Sequence, residues 1–275
     1  MSILLALLSS LLWGSADFYG GVMSKRRSAY AIVGGSQACG FVVITALVLA
    51  TGRFDGSTNW IPWAIGAGLS GAGGLVLFYA ALASGTMGVV SPIAALGAIV
   101  PVVVALVLGE QPTVLALAGM AIALAGAFLA SGPELRGEAG ARPMLLAAGA
   151  GVCFGLALTA LAYGASRDPW LTLWGMRLTS VVLFGVAALV VRSLGGLRWS
   201  DLPGLMVVGV GDTTANLLFG IAATMGLVSL TSVAGSLYPV ATVMLAWLVL
   251  HERMQRIQLV GVALALGGIA VVSLG

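Results

Sequence analysis

The chain repeats itself. Gly14, Phe78, Gly85 and Ser91 recur as Gly155, Phe219, Gly226 and Ser232 at a spacing of 141, and Glu110, Gly119, Gly126 and Ser131 recur as Glu252, Gly261, Gly268 and Ser273 at 142. Each copy holds five apolar stretches: 3–23, 29–51, 60–82, 86–108 and 113–131, then 144–165, 170–192, 203–225, 228–250 and 257–274. At 1.5 Å per helical residue, about 20 apolar residues cross a hydrocarbon layer of about 30 Å. An odd number of crossings sends the second copy into the bilayer from the opposite side, so the copies are inverted. Inverted repeats of this kind are characteristic of secondary transporters.

Hydrophobic residues make up 60% of the 275 and charged residues only 8%, a balance that excludes a water-soluble domain. The expected fold is an all-α membrane protein of ten transmembrane helices in two inverted five-helix repeats, residues 1–131 and 144–275, joined by the polar, Gly- and Pro-bearing linker 132–143. A barrel would need shorter strands of alternating polarity, whereas these runs are apolar on every side. The 40 glycines suit close helix packing in lipid. Nothing before Asp17 is charged, so the first stretch reads as a retained span rather than a cleaved signal peptide. Cys39 and Cys153 fall inside spans and imply no disulfide, and no metal, cofactor or nucleic-acid motif is present. Trp60, Trp63, Trp170 and Trp199 stand at span starts, where an indole prefers the headgroup level.

Loop charge is lopsided. The odd-numbered connections carry Lys25, Arg26, Arg27, Arg136, Arg142, Arg192, Arg198, Arg253 and Arg256, and the even-numbered ones only Arg53 and Arg167. The positive-inside rule therefore places both termini outside.

Each copy ends alike: a span rich in small residues, then Gly109-Glu110 or His251-Glu252, then a span with glycines seven apart (Gly119 and Gly126; Gly261 and Gly268). With Trp13-Gly14-Ser15 in the first span and Gly85 before the fourth, the chain resembles the EamA-type branch of the drug/metabolite transporter superfamily over nearly its whole length. The resemblance implies export of amino acids, drugs or other metabolites. It also implies a central cavity lined by spans one, three, four, six, eight and nine, with the fifth and tenth outside, and cytoplasmic termini against the charge rule. The small multidrug relatives carry a glutamate three residues before the first-span glycine, where this chain has Leu11 and Val152.

An ionisable side chain near the bilayer centre costs roughly 2.5–3.5 kcal/mol on insertion scales, so each one demands a reason. Asp212 lies about 14 Å into span eight, with Asn216 a turn away on the same face. It reads equally as a ligand for a substrate ammonium or coupling proton and as the structural partner of Arg177 in span seven. Counted from the shared loop, Arg177 is about 22 Å deep, a gap an extended arginine only just closes. Arg177 itself is expected to pack or to meet backbone carbonyls at a helix break rather than to bind substrate, with neutral Gln37 at the matching place in the first copy. Asp17 shares a stripe with Ser10, Trp13 and Gly21 about 9 Å from the span end, and reads as a mouth residue or a proton carrier. Trp13 offers an aromatic face for apolar groups or an ammonium. Tyr79 in span three, Thr159 and Tyr163 in span six, and Ser232 and Ser236 in span nine add hydroxyls. Singly each suits an interhelical hydrogen bond; together they suit a site for a small polar solute. Pro92, Pro101 and Pro239 remove backbone donors and make candidate hinges.

The expectation is a monomeric exporter of amino acids or similar metabolites, working by alternating access in a bacterial inner membrane. Coupling would run through protons on Asp17 or Asp212, or not at all. A multidrug or other metabolite exporter of the same superfamily is the alternative. Gly68-Leu69-Ser70-Gly71 matches the short motif of intramembrane serine proteases, but the sole histidine, His251, stands at a span boundary. A channel would need charge rings or carbonyl filters repeated by oligomer symmetry.

Overall fold

The computed structural model describes residues 1–24, 26–54, 57–84, 87–130, 141–193, 195–250 and 255–274. Lys25, Gly85, Ser131, residues 132–140 of the expected linker, His251, Glu252, Arg253 and Gly275 lie outside the described residues.

Backbone amides in hydrocarbon have no water to bond, so the chain closes its hydrogen bonds within helices. These are α1 (Ser2–Ser24), α2 (Ala29–Ala50), α3 (Ile61–Ser84), α4 (Met87–Ala95), α5 (Ile99–Val107), α6 (Val114–Ala130), α7 (Ala141–Ala165), α8 (Pro169–Val191), α9 (Leu202–Thr224), α10 (Val228–Gly235), α11 (Tyr238–Leu250) and α12 (Arg256–Leu274). No strand occurs among the described residues. The pairs α4/α5 and α10/α11 are each one interrupted span, the fourth and the ninth. The twelve helices of the described residues therefore make ten crossings, and leucines and valines such as Leu145, Val114 and Leu189 stand out on the surface.

The inversion is visible in helix contacts. α6 packs against α12 so closely that a Cβ on Gly119 would lie 2.7 Å from the Val272 nitrogen, and one on Gly126 would strike the Ala265 backbone. Gly268 meets Ala123 and Gly261 meets Ala130 in the same way. The partner number falls along one helix as it rises along the other, so the two are antiparallel, and each contact maps onto another when shifted by one repeat. The glycines seven apart are this seam. A second pair repeats the logic: Gly14 of α1 abuts Tyr238 and Ala241, while Gly155 of α7 abuts Gly97 and Val100.

Those contacts sit on the breaks in the two interrupted spans. Pro101 has no N–H to offer the Gly97 carbonyl four residues back, and the helix gives way to a 3₁₀ turn at Leu96–Ala98. Pro239 likewise releases the Gly235 carbonyl, where α10 ends; Leu237 N–H turns to Ala234 O at 3.4 Å and Val240 N–H to Leu237 O at 2.9 Å. Pro92 lies within α4, upstream of the first break.

The Gly-Glu signature of the first copy has a physical role. Gly109, at φ +99, ends α5 in a conformation few other residues adopt, and Glu110 N–H closes back on Ala105 O at 3.0 Å. The turn delivers the Glu110 carboxylate to the start of α10, where it accepts from Val228 N (2.7 Å), Ser229 N (3.0 Å) and Ser229 Oγ (2.7 Å). A carboxylate there satisfies orphan donors and complements the helix dipole. The first copy thereby clasps the interrupted helix of the second.

Loops fall on two faces. Arg27 pairs with Asp201 at 2.9 Å, joining connection 1–2 to connection 7–8, whereas Arg53 lies 5.2 Å over the Trp170 ring, joining 2–3 to 6–7. Trp60 and Trp63 belong to the Arg53 face but pack inward as well, Trp60 against Trp174 and Trp63 against Tyr163. Trp199 is 89% exposed, as an interfacial anchor should be.

Candidate substrate site

A cavity of about 80 Å³ opens in the middle of the bundle. Leu75, Phe154, Leu158 and Met176 make its walls apolar, and Trp13, Asp17, Gln37, Arg177, Asp212, Asn216, Ser236 and Tyr238 bring polar atoms to it. Both repeats contribute. Spans two and seven supply Gln37, Met176 and Arg177, contrary to the lining the resemblance implied, and no described span-four residue lines it. α6 and α12 stay outside.

Asp212 is the hub of the polar wall. Its Oδ1 accepts from Trp13 Nε1 at 3.1 Å and Asn216 Nδ2 at 2.9 Å. Its Oδ2 accepts from Gln37 Nε2 at 3.1 Å and pairs with Arg177 Nη1 at 2.9 Å. Nη1 also donates to Gln37 Oε1, closing a ring of three side chains from α2, α8 and α9. A carboxylate has about four acceptor sites; here three hold hydrogen bonds and the Arg177 guanidinium stands against the carboxylate as its ion-pair partner. Asp212 is therefore committed to the protein's own side chains in this state.

Two groups in the cavity are less committed. Asp17 makes no hydrogen bond or ion pair among the described residues. Arg177 is 1% exposed, and while Nη1 is engaged, Nε and Nη2 are buried without partners. The cavity thus joins an apolar enclosure to one unpaired carboxylate and one partly unpaired guanidinium.

The EamA-like transporter family is the family whose model matches the sequence, at residues 1–132 and again at 141–274. The chain belongs to that family. No curated protein matches it. A crystal structure described only as that of a protein is similar in fold, with a TM-score of 0.81 at 21% identity over 99% of this chain and 96% of the other.

In this EamA-like transporter Trp13, Asp17, Asp212, Asn216 and Ser236 come together at the cavity. Trp13 also stacks on Phe219 at 5.5 Å, and Ser236 Oγ donates to Val233 O at 2.8 Å. Four other expected site residues do not line it. Tyr79 is buried between α3 and α1, its hydroxyl where a Gly20 side chain would be. Thr159 Oγ1 donates to Gly155 O at 2.8 Å, Tyr163 stacks on Trp63, and Ser232 Oγ is buried without a partner. Leu11 and Val152, at the glutamate positions of the small multidrug relatives, are 51% and 55% exposed, outside the cavity.

The structural bridge, one of the two readings of Asp212, is formed: Arg177 closes the gap to Asp212. It meets Asp212 and Gln37 rather than backbone carbonyls. Gln37 and Tyr238 were not among the expected ligands. The repeat placed Gln37 opposite Arg177, and that was the available signal for it.

Proposed function

We propose that the protein is a secondary transporter that exports amino acids or similar small metabolites by alternating access through this cavity. One observation carries the reading: an enclosure walled by both inverted repeats sets apolar surface beside an uncommitted carboxylate and an uncommitted guanidinium edge. Such a wall suits a small zwitterion with an apolar side chain. The two interrupted spans, with breaks at Gly97 and after Gly235, are the flexible points about which one repeat would rock on the other. Asp17 is the stronger candidate for a coupling proton, since Asp212 is held by three hydrogen bonds and an ion pair. We place the protein in a bacterial inner membrane as a monomer, non-enzymatic, with the charge-rich connections inside and both termini outside. Ser70 donates to the Gly66 carbonyl of its own helix, an arrangement suited to packing rather than to a nucleophile.

A second reading has its own support. An unpaired Asp17 in an apolar pocket also suits a lipophilic cation, as in a multidrug exporter. Purified protein in liposomes, offered labelled amino acids in parallel with quaternary ammonium dyes, separates the two. Saturable amino-acid flux supports the first reading; dye flux alone replaces it with the second.

A further inference from the structure

We infer that the side-on edge of Arg177, formed by Nε and Nη2, is the anchoring site for a carboxylate on the transported solute. The inference rests on the transporter reading and adds to it a ligand group and a residue.

A guanidinium presents five N–H donors in a rigid plane. In Arg177 the terminal Nη1 is used by Asp212 and Gln37, which leaves Nε and Nη2. Their N–H bonds run nearly parallel on one side of the plane, at a spacing that matches the two oxygens of a carboxylate. Both atoms are buried and unpartnered in a side chain 1% exposed, and Arg177 lines the cavity. A bridge built for stability alone would turn this fork toward Asp212. Here Asp212 takes only the end nitrogen, because Trp13, Asn216 and Gln37 fill its remaining acceptor sites. The network therefore positions Arg177 and leaves its bidentate edge unused.

Unpaired donors on a buried charge are costly, so the empty edge favours any event that satisfies it. A second orphan stands in the same cavity, the buried Tyr238 hydroxyl at the break before α11. A carboxylate entering as the cavity widens has two charge-assisted donors in Arg177 and a third polar group in Tyr238. Asp17, on the same lining, is the acceptor for an ammonium. The solute class this favours carries a carboxylate and an amine on a compact apolar frame.

The test needs no variant at first. Wild-type protein in liposomes is offered phenylalanine, phenylalaninamide and phenethylamine, which keep the ring and amine while the carboxylate is neutralised or removed. The KM for the amide and the amine should rise roughly ten- to a hundred-fold over the acid, the range of a charge-assisted bidentate pair. In Arg177→Lys, which keeps a cation for Asp212 but has no fork, acid and amide should differ by no more than about threefold. Saturable transport of acid and amide with equal KM overturns the inference and leaves the transporter reading standing. Absence of saturable flux for all three removes that reading and the inference with it. If the lysine variant does not fold, the wild-type series decides alone.

Discussion

The Arg177–Asp212 pair should behave as one energetic unit. In Asp212→Asn an amide nitrogen replaces one acceptor oxygen, and neither orientation of the amide relieves the conflict. Oδ1 faces two donors, Trp13 and Asn216, and Oδ2 faces two others, Gln37 and Arg177. The new N–H group must therefore oppose existing donors while Arg177, at 1% exposure, loses its counter-ion. Breaking a buried pair from one side costs about 3–5 kcal/mol. Arg177→Gln leaves Asp212 with three donors and some exposure, so its cost should be lower, about 1.5–3 kcal/mol. With both charges gone the uncompensated term disappears, and the double variant should lie about 2 kcal/mol short of the sum of the singles. Equilibrium unfolding in mixed micelles with a rising SDS fraction, followed by tryptophan fluorescence, gives all three values. Single costs below about 1 kcal/mol, or additivity within about 0.5 kcal/mol, would refute the coupled network.

Glu110→Gln should weaken the clasp on α10 by about 1.5–3 kcal/mol, seen as faster amide exchange at Val228 and Ser229 with little change in α1. Gly126→Val should prevent α6 from seating on the Ala265 backbone, and size-exclusion of a fluorescent fusion should show loss of the monodisperse peak; an unchanged profile would mean that the seam tolerates separation. A reporter active only in the periplasm should work when fused after Gly275, because the charge-rich connections lie on the opposite face from the chain ends. Activity of a cytoplasmic reporter alone would reverse the orientation.

The fold was legible because its determinants are periodic. Apolar runs give the crossings, an odd number per copy gives the inversion, and Gly119, Gly126, Gly261 and Gly268 mark a seam that repeats by symmetry. The prolines marked the interrupted spans, and the breaks open at the carbonyls four residues before Pro101 and Pro239, as the missing N–H groups dictate. The site was legible only in part. A span apolar on every side does not reveal which face meets the cavity and which a neighbouring helix. Hence Tyr79, Thr159, Tyr163 and Ser232, sound as polar positions, stand off the cavity. Depth along the helices left the Arg177–Asp212 bridge just within reach, and the bridge is formed, but depth gave no sign that Gln37 joins it. Asp212 was found, but its partners Trp13, Gln37 and Arg177 come from three other helices that no local pattern joins.

Counterflow tests the central claim most directly. Liposomes holding the purified protein and a high internal concentration of one unlabelled amino acid are diluted into a trace of the same amino acid in labelled form. An alternating-access carrier should accumulate label transiently above its external concentration, with an initial rate that saturates. Label that only approaches equality across the membrane, at a rate linear in concentration, or that does not enter for any amino acid, would contradict the account.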